Sequence, residues 1–182
     1  MTSPVIVALD LEHTLAIDLA KKLDPVNCRL KVGSQLFTSA GPKVIEELSM
    51  LGFDIFLDLK FHDIPNTVAQ SVKAASNLGV WMLNVHASGG SIMMNAAKEV
   101  TSESLNPPLI IGVTMLTSLS EKDVNEIGIQ DISNQALSLA SLAKKNSLDG
   151  VVCSVNEVRR IKELLGKDFI TVTPGIRFSN SQ

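Results

Sequence analysis

Cysteine is scarce: Cys28 and Cys153 are the two present, both in or beside apolar segments, and neither belongs to a CxxC or Cys/His spacing. This excludes a dithiol redox motif or a cysteine-based zinc site and predicts two buried, reduced thiols. Basic patches are also missing. With a net charge of −3 and no basic stretch interleaved with aromatics, nucleic acid is excluded as a main partner. No apolar run is long enough for a membrane span, and the opening MTSPVIVALD lacks the basic region, apolar run and cleavage site of a signal peptide. The expectation is a cytoplasmic protein with no membrane contact. No low-complexity tract or linker occurs, and no GxGxxG loop follows the first apolar run.

What the chain does have is core-forming material. It has 182 residues, of which 45% are hydrophobic and 19% charged, enough for one large core and a single domain over residues 1–182. Apolar, β-prone runs alternate with amphipathic helical ones, the pattern of repeated βα units on a parallel sheet. Strands are expected at 5–10, 29–33, 54–60, 80–87, 109–116, 150–155 and 169–174. Helices are expected at 14–23, 41–51, 67–78, 91–100, 133–145 and 156–165, with Gly79, Gly150 and Gly166 suited to helix-to-strand turns. Segment 118–131 reads as an irregular loop that could cover a ligand.

A doubly wound open sheet and a (β/α)8 barrel both satisfy this alternation. The missing glycine-rich phosphate loop favours the barrel, as does the position of the polar residues. Asp10, Lys31, Asp58, Lys60, His86, Thr117 and Arg177 stand at the carboxyl ends of different strands, where barrel enzymes build their sites. Seven βα units are counted, followed by the polar run 177–182. At about 30 residues per unit, roughly 50 residues carrying an eighth strand and its flanking helices are expected to be absent.

The most informative segment is 58–67, DLKFHDIPNT. It ends the strand GFDIFLD, whose hydrophobicity marks it as covered on both faces. Side chains alternate along a strand, so Asp58 and Lys60 should face one cavity while Leu59 points into the helix layer. Asp63 follows in the turn before Ile64, Pro65 and Asn66, where a helix with proline in its first turn is expected to start. It could reach the same mouth in its own subunit or a neighbour's. An isolated Asp-x-Lys is commonly a weak ion pair. Two acids and a base ending a buried strand are better explained as a working site, since unpaired buried charge is costly.

DLKFHDIPNT resembles the active-site signature of the orotidine 5'-phosphate decarboxylases. The segments VALD at 7–10, RLKVG at 29–33, NVHASGG at 84–90, GVTMLTS at 112–118 and VTPGIR at 172–177 are similar to the family's other strand-end segments, in order. The likeness is greatest to the bacterial, single-function form. It implies decarboxylation of orotidine 5'-monophosphate to UMP, the last step of pyrimidine synthesis, with no cofactor and no metal. It further implies a charge array of Lys31, Asp58, Lys60 and Asp63 in a homodimer, with Asp63 and Thr67 reaching the partner's site. Lys60 would protonate C6, and Asp10, Lys31, Asp58, Thr67, Thr117 and Arg177 would bind substrate. Asp10 and Lys31 would meet the ribose, Thr67 a ribose hydroxyl across the dimer, Thr117 the pyrimidine edge and Arg177 the phosphate.

Two other readings compete. Magnesium-dependent sugar-phosphate enzymes of the same superfamily share an Asp-x-Lys-x-x-Asp core, but place an acid where this chain has Lys31. A silent binding barrel would have little use for four intact charges. His62 and His86 are expected to pack or hydrogen-bond locally rather than catalyse, and Trp81, Met93 and Met94 to serve packing or a dimer contact.

Overall fold

The apolar runs become strands wherever β-branched and large aliphatic residues cluster: β1 (Ile6–Ala8), β2 (Arg29–Gly33), β3 (Ile55–Phe61), β4 (Met82–His86), β5 (Leu109–Val113), β6 (Gly150–Val152) and β7 (Ile170–Val172). The protein is represented by a computed structural model that describes residues 4–102 and 104–176. All neighbouring strands are parallel, and the sheet runs β1-β2-β3-β4-β5-β6-β7 without reversal. A doubly wound sheet would reverse its strand order at a switch point. The sequential order is that of a (β/α) barrel, with β1 and β7 at the two edges of the ladder among the described residues.

Helices α1 (His13–Ala20), α2 (Ser34–Ala40), α3 (Lys43–Met50), α4 (Pro65–Ser76), α5 (Gly90–Glu99), α6 (Glu121–Glu126), α7 (Ile132–Lys145) and α8 (Val158–Leu165) connect the strands. Their caps explain several of their starts. Pro65 opens α4, where its missing N–H costs nothing. Asp131 accepts from the Asn134 N–H at 2.9 Å to cap α7, which ends on Lys144 and Lys145.

Strand side chains divide between two faces. Leu9, Leu30, Leu57, Leu83, Ile110 and Val151 belong to the large core shared with the helices. Phe56, Met82, Ile111, Val113 and Val152 form a separate cluster on the opposite, concave face. Leu59 packs against the helix-side core, as expected. Cys28 and Cys153 are free and buried, and burial pushes the Cys153 thiol up to about 12. Met93 and Met94 are fully buried packing residues.

Three expectations need correction. The segment 34–40 forms α2, and the helix expected at 41–51 starts only at Lys43; with Leu36 the sole buried residue of α2, no apolar stripe announces it. The loop at 118–131 contains α6, whose Ser120 and Asp123 close a capping box. Most strands are shorter than their apolar runs, because β pairing stops before the hydrophobic residues do. No helix among the described residues is long and apolar enough to cross a membrane.

Candidate active site

Parallel pairing brings the carboxyl ends of all strands to one end of the sheet, and the register there sets the geometry. Gly33 of β2 lies opposite Asp58 of β3, and Lys31 opposite Phe56. Lys31 therefore shares the concave face with Phe56 and Asp58. Its ammonium sits 3.1 Å from Asp10 Oδ1 and 3.5 Å from Asp58 Oδ2. Gly33 leaves the space for it: a Cβ there would lie 3.2 Å from Lys31 Nζ and 3.5 Å from Asp10 Oδ1.

Lys60 reaches the same carboxylate by a route that simple alternation does not describe. Its Nζ lies 2.8 Å from Asp58 Oδ1, yet its backbone is left-handed, at φ 53°. Pairing between β3 and β4 is regular at Leu57↔Leu83 and resumes at Phe61↔Val85. Residues 58, 59 and 60 thus bulge opposite Asn84 alone. Such a bulge re-aims a side chain, and a left-handed lysine costs on the order of 1–2 kcal/mol that the surroundings must hold in place.

Burial pushes the Asp58 carboxyl up. Hydrogen bonds from Lys60 and Asn84, with the charges of Lys60 and Lys31, outweigh this and leave it below the usual carboxylate range. Asp58 is therefore ionised at neutral pH, between two ammonium groups. Lys60 retains 37% side-chain exposure and so keeps one side open to solvent. His86, at the end of β4, stacks near His62 with ring centroids 5.2 Å apart. Burial, then the charges of His62 and Lys60, lower its pKa, which favours the neutral ring.

The structure brings Asp10, Lys31, Asp58 and Lys60 together through ion pairs, and three other expected residues are exposed and take no part in those pairs. Asp63 is exposed at the start of α4, where its Oδ1 accepts from the Ile64 N–H at 2.7 Å. No cation among the described residues comes within 4.0 Å of that carboxylate. That carboxylate is therefore bound to the backbone of its own turn and open to solvent. Thr67, in the first turn of α4, and Thr117, in the turn after β5, are both exposed. Arg177 lies outside the described residues. Among the described residues no three His, Cys, Asp or Glu side chains converge as a metal-binding set.

One polar residue of this site went unassigned in the sequence. Asn84 is fully buried in β4, and its side chain contacts both Asp58 and Lys60. The available signal was an amide inside the apolar strand MLNVH, since buried polar groups are retained where they have partners.

Comparison with known proteins agrees with this arrangement. Residues 3–182 match the family model described as orotidine 5'-phosphate decarboxylase / HUMPS family. A curated orotidine 5'-phosphate decarboxylase of Saccharophagus degradans is 53% identical over 175 residues, covering 95% of this chain and 74% of the relative. One from Marinomonas sp. is 54% identical, covering 98% of this chain and 77% of the relative. The crystal structure of orotidine 5'-phosphate decarboxylase from Lactobacillus acidophilus superposes with a TM-score of 0.87 at 46% identity, covering 96% of this chain and 82% of that one. The strand order, the strand-end lysine–aspartate array and these matches together place the chain in the orotidine 5'-phosphate decarboxylase / HUMPS family.

Proposed function

We propose that this protein decarboxylates orotidine 5'-monophosphate to UMP, using the ammonium of Lys60 as the proton donor to C6. The observation that carries the proposal is the pair of lysines on one buried carboxylate, at 3.5 and 2.8 Å. In the reaction the C6–carboxylate bond breaks heterolytically, neutral CO2 departs, and the electron pair stays on C6. The Lys60 ammonium, already oriented by Asp58, stabilises that developing charge. An N–H proton then passes from Lys60 to C6, and solvent reprotonates the amine.

Asp58, ionised and held from two sides, would stand beside the substrate carboxylate and disfavour the ground state, a repulsion relieved when CO2 leaves. All the charge this chemistry calls for comes from side chains, so the proposed reaction runs without a metal. Asp10 and Lys31 serve the ribose, Thr117 the pyrimidine edge and Arg177 the phosphate.

The proposal includes a homodimer in which Asp63 and Thr67 complete the neighbouring site. It is supported by the exposure of both side chains at the start of α4, where a neighbouring subunit can meet them. Mixing Lys60→Ala with Asp63→Ala protein tests it: half of the mixed dimers' sites would regain both groups, and activity should return. Mixtures as inactive as their parents would argue for sites contained in single subunits.

Ultraviolet absorbance of orotidine 5'-monophosphate, followed with chelator present, tests the reaction itself. Turnover by the wild type and none by Lys60→Ala is expected. Turnover that requires a divalent ion, or none with this nucleotide, would overturn the reading.

A further inference from the structure

The bulge at residues 58–60 leaves β3 three residues long where β4 supplies only Asn84. Its amide takes up both consequences. Oδ1 accepts from the Lys60 backbone N–H at 2.8 Å, and Nδ2 donates to Asp58 Oδ1 at 2.6 Å. The orientation is forced, because the flipped amide would set a carbonyl against a carboxylate and an N–H against an N–H. Asn84 has no solvent exposure, so water cannot replace either bond. Asp58 Oδ1 thus accepts from Asn84 and from the Lys60 ammonium at 2.8 Å, while Lys31 holds Oδ2.

We infer that Asn84 is a positioning residue: one buried amide locks the carboxylate of Asp58 and the left-handed backbone of Lys60 into a single unit. An acceptor alone would satisfy the bulge. The amide's second half serves only the carboxylate, which links the bulge geometry to the charge array. Because the same residue fixes where Lys60 starts and what it pairs with, loss of Asn84 lets the ammonium drift from the reacting carbon. This inference rests on the decarboxylase reading above for its kinetic consequence, but not for its structural one.

The test compares the wild type with Asn84→Leu, which keeps the volume and removes both hydrogen bonds. In Asn84→Leu we expect kcat to fall about 10²-fold, the scale of loss when a reacting group shifts by about 1 Å, with KM little changed. The acid limb of the kcat profile should move to higher pH. Carbon-13 carboxyl NMR of labelled aspartate should place the Asp58 midpoint higher than in the wild type, and higher still in Asn84→Asp. The other ionisable groups facing Asp58 are Asp10 beyond β1, Lys31 of β2, Lys60 of β3 and His86 of β4 with its neighbour His62; all are unchanged in these variants.

Leu48→Ala, on the buried face of α3, controls for lost stability and should leave the pH profile and KM at their wild-type values. Should Asn84→Leu fail to fold, Asn84→Ser, whose hydroxyl reaches only one of the two groups, carries the same readouts. A wild-type kcat and an unmoved Asp58 midpoint in these variants would overturn the inference. If the wild type does not turn over the nucleotide, the decarboxylase reading fails, and the NMR midpoint alone decides whether Asn84 positions Asp58.

Discussion

At the amino end of the sheet the Arg29 guanidinium stands 3.2 Å from Asp54 and 4.1 Å above the Trp81 ring. At the carboxyl end, two residues further along the same strand, Lys31 shares the Asp58 carboxylate with Lys60. The amino-end cation has a carboxylate and an aromatic face, an arrangement that saturates it. Lys98 likewise meets Asp149, whose Oδ2 also accepts from the Ile110 N–H at 2.7 Å. At the carboxyl end two ammonium groups converge on one buried acid, and Lys60 keeps an open side. One end is wired for stability and the other is left with unspent charge, which is what a site needs.

The sharpest way to break this contrast is to remove the open-sided cation. Lys60→Ala should lower kcat by about 10⁴-fold, the combined scale of proton donation and electrostatic stabilisation. Its stability should fall by no more than about 2 kcal/mol, since Asp58 keeps Lys31 and Asn84 as partners. Arg29→Ala should do the reverse, keeping kcat while losing about 1 kcal/mol of stability through the lost ring and carboxylate contacts. Enzyme assays and denaturant titrations on the two variants check both halves. A strong kinetic effect at Arg29 would contradict the division between the two ends.

Gly150→Ala attacks packing at the amino end alone. A Cβ there would lie 2.4 Å from the Ile170 carbonyl oxygen, so β6 and β7 would have to separate. We expect a stability loss of about 1–3 kcal/mol, read as a lower urea midpoint, with KM and kcat unchanged in the folded fraction. Gly33→Ala, at the carboxyl end, should be milder in stability but visible in KM. The neighbour its Cβ would press on, at 3.2 Å, is the flexible end of Lys31, which can yield only by moving relative to Asp10.

The difference between the ends also explains what the sequence could disclose. Parallel strands buried on both faces leave near-continuous apolar runs, so β2 was legible to the residue and β3 to within one. Asp58 and Lys60 stood out because charge ending such a run has no packing role. What could not be read is geometry that depends on register. The bulge opposite Asn84 arises from how β3 pairs with β4, and no local pattern around Lys60 encodes a left-handed backbone. Asn84 itself looks like one polar residue in an apolar strand until its two partners are seen. Asp63 sits in the right motif, yet the bond it accepts is from the backbone of its own turn, at Ile64. Helix α2 was hidden because seven residues with one buried side chain carry no period.

The last expected effect concerns acid. The fold favours the ionisation of Asp58, its hydrogen bonds and lysine neighbours having overcome burial. A carboxyl whose folded pKa is depressed contributes stability above its unfolded value of about 4, and loses it as pH falls through the folded value. Asp58→Asn removes that contribution at every pH. The wild type should therefore exceed Asp58→Asn in stability at pH 7, by about 2 kcal/mol given that two partly exposed lysines lose their acid. The gap should narrow steadily as the pH drops below about 4, because a protonated Asp58 approaches the asparagine in charge. Urea midpoints of the two proteins from pH 7 to pH 2 measure it. A gap that stays constant into acid would mean that Asp58 owes its place to packing and its amide-like hydrogen bonds. The carboxyl end would then be held, like the amino end, by contacts that do not depend on its charge.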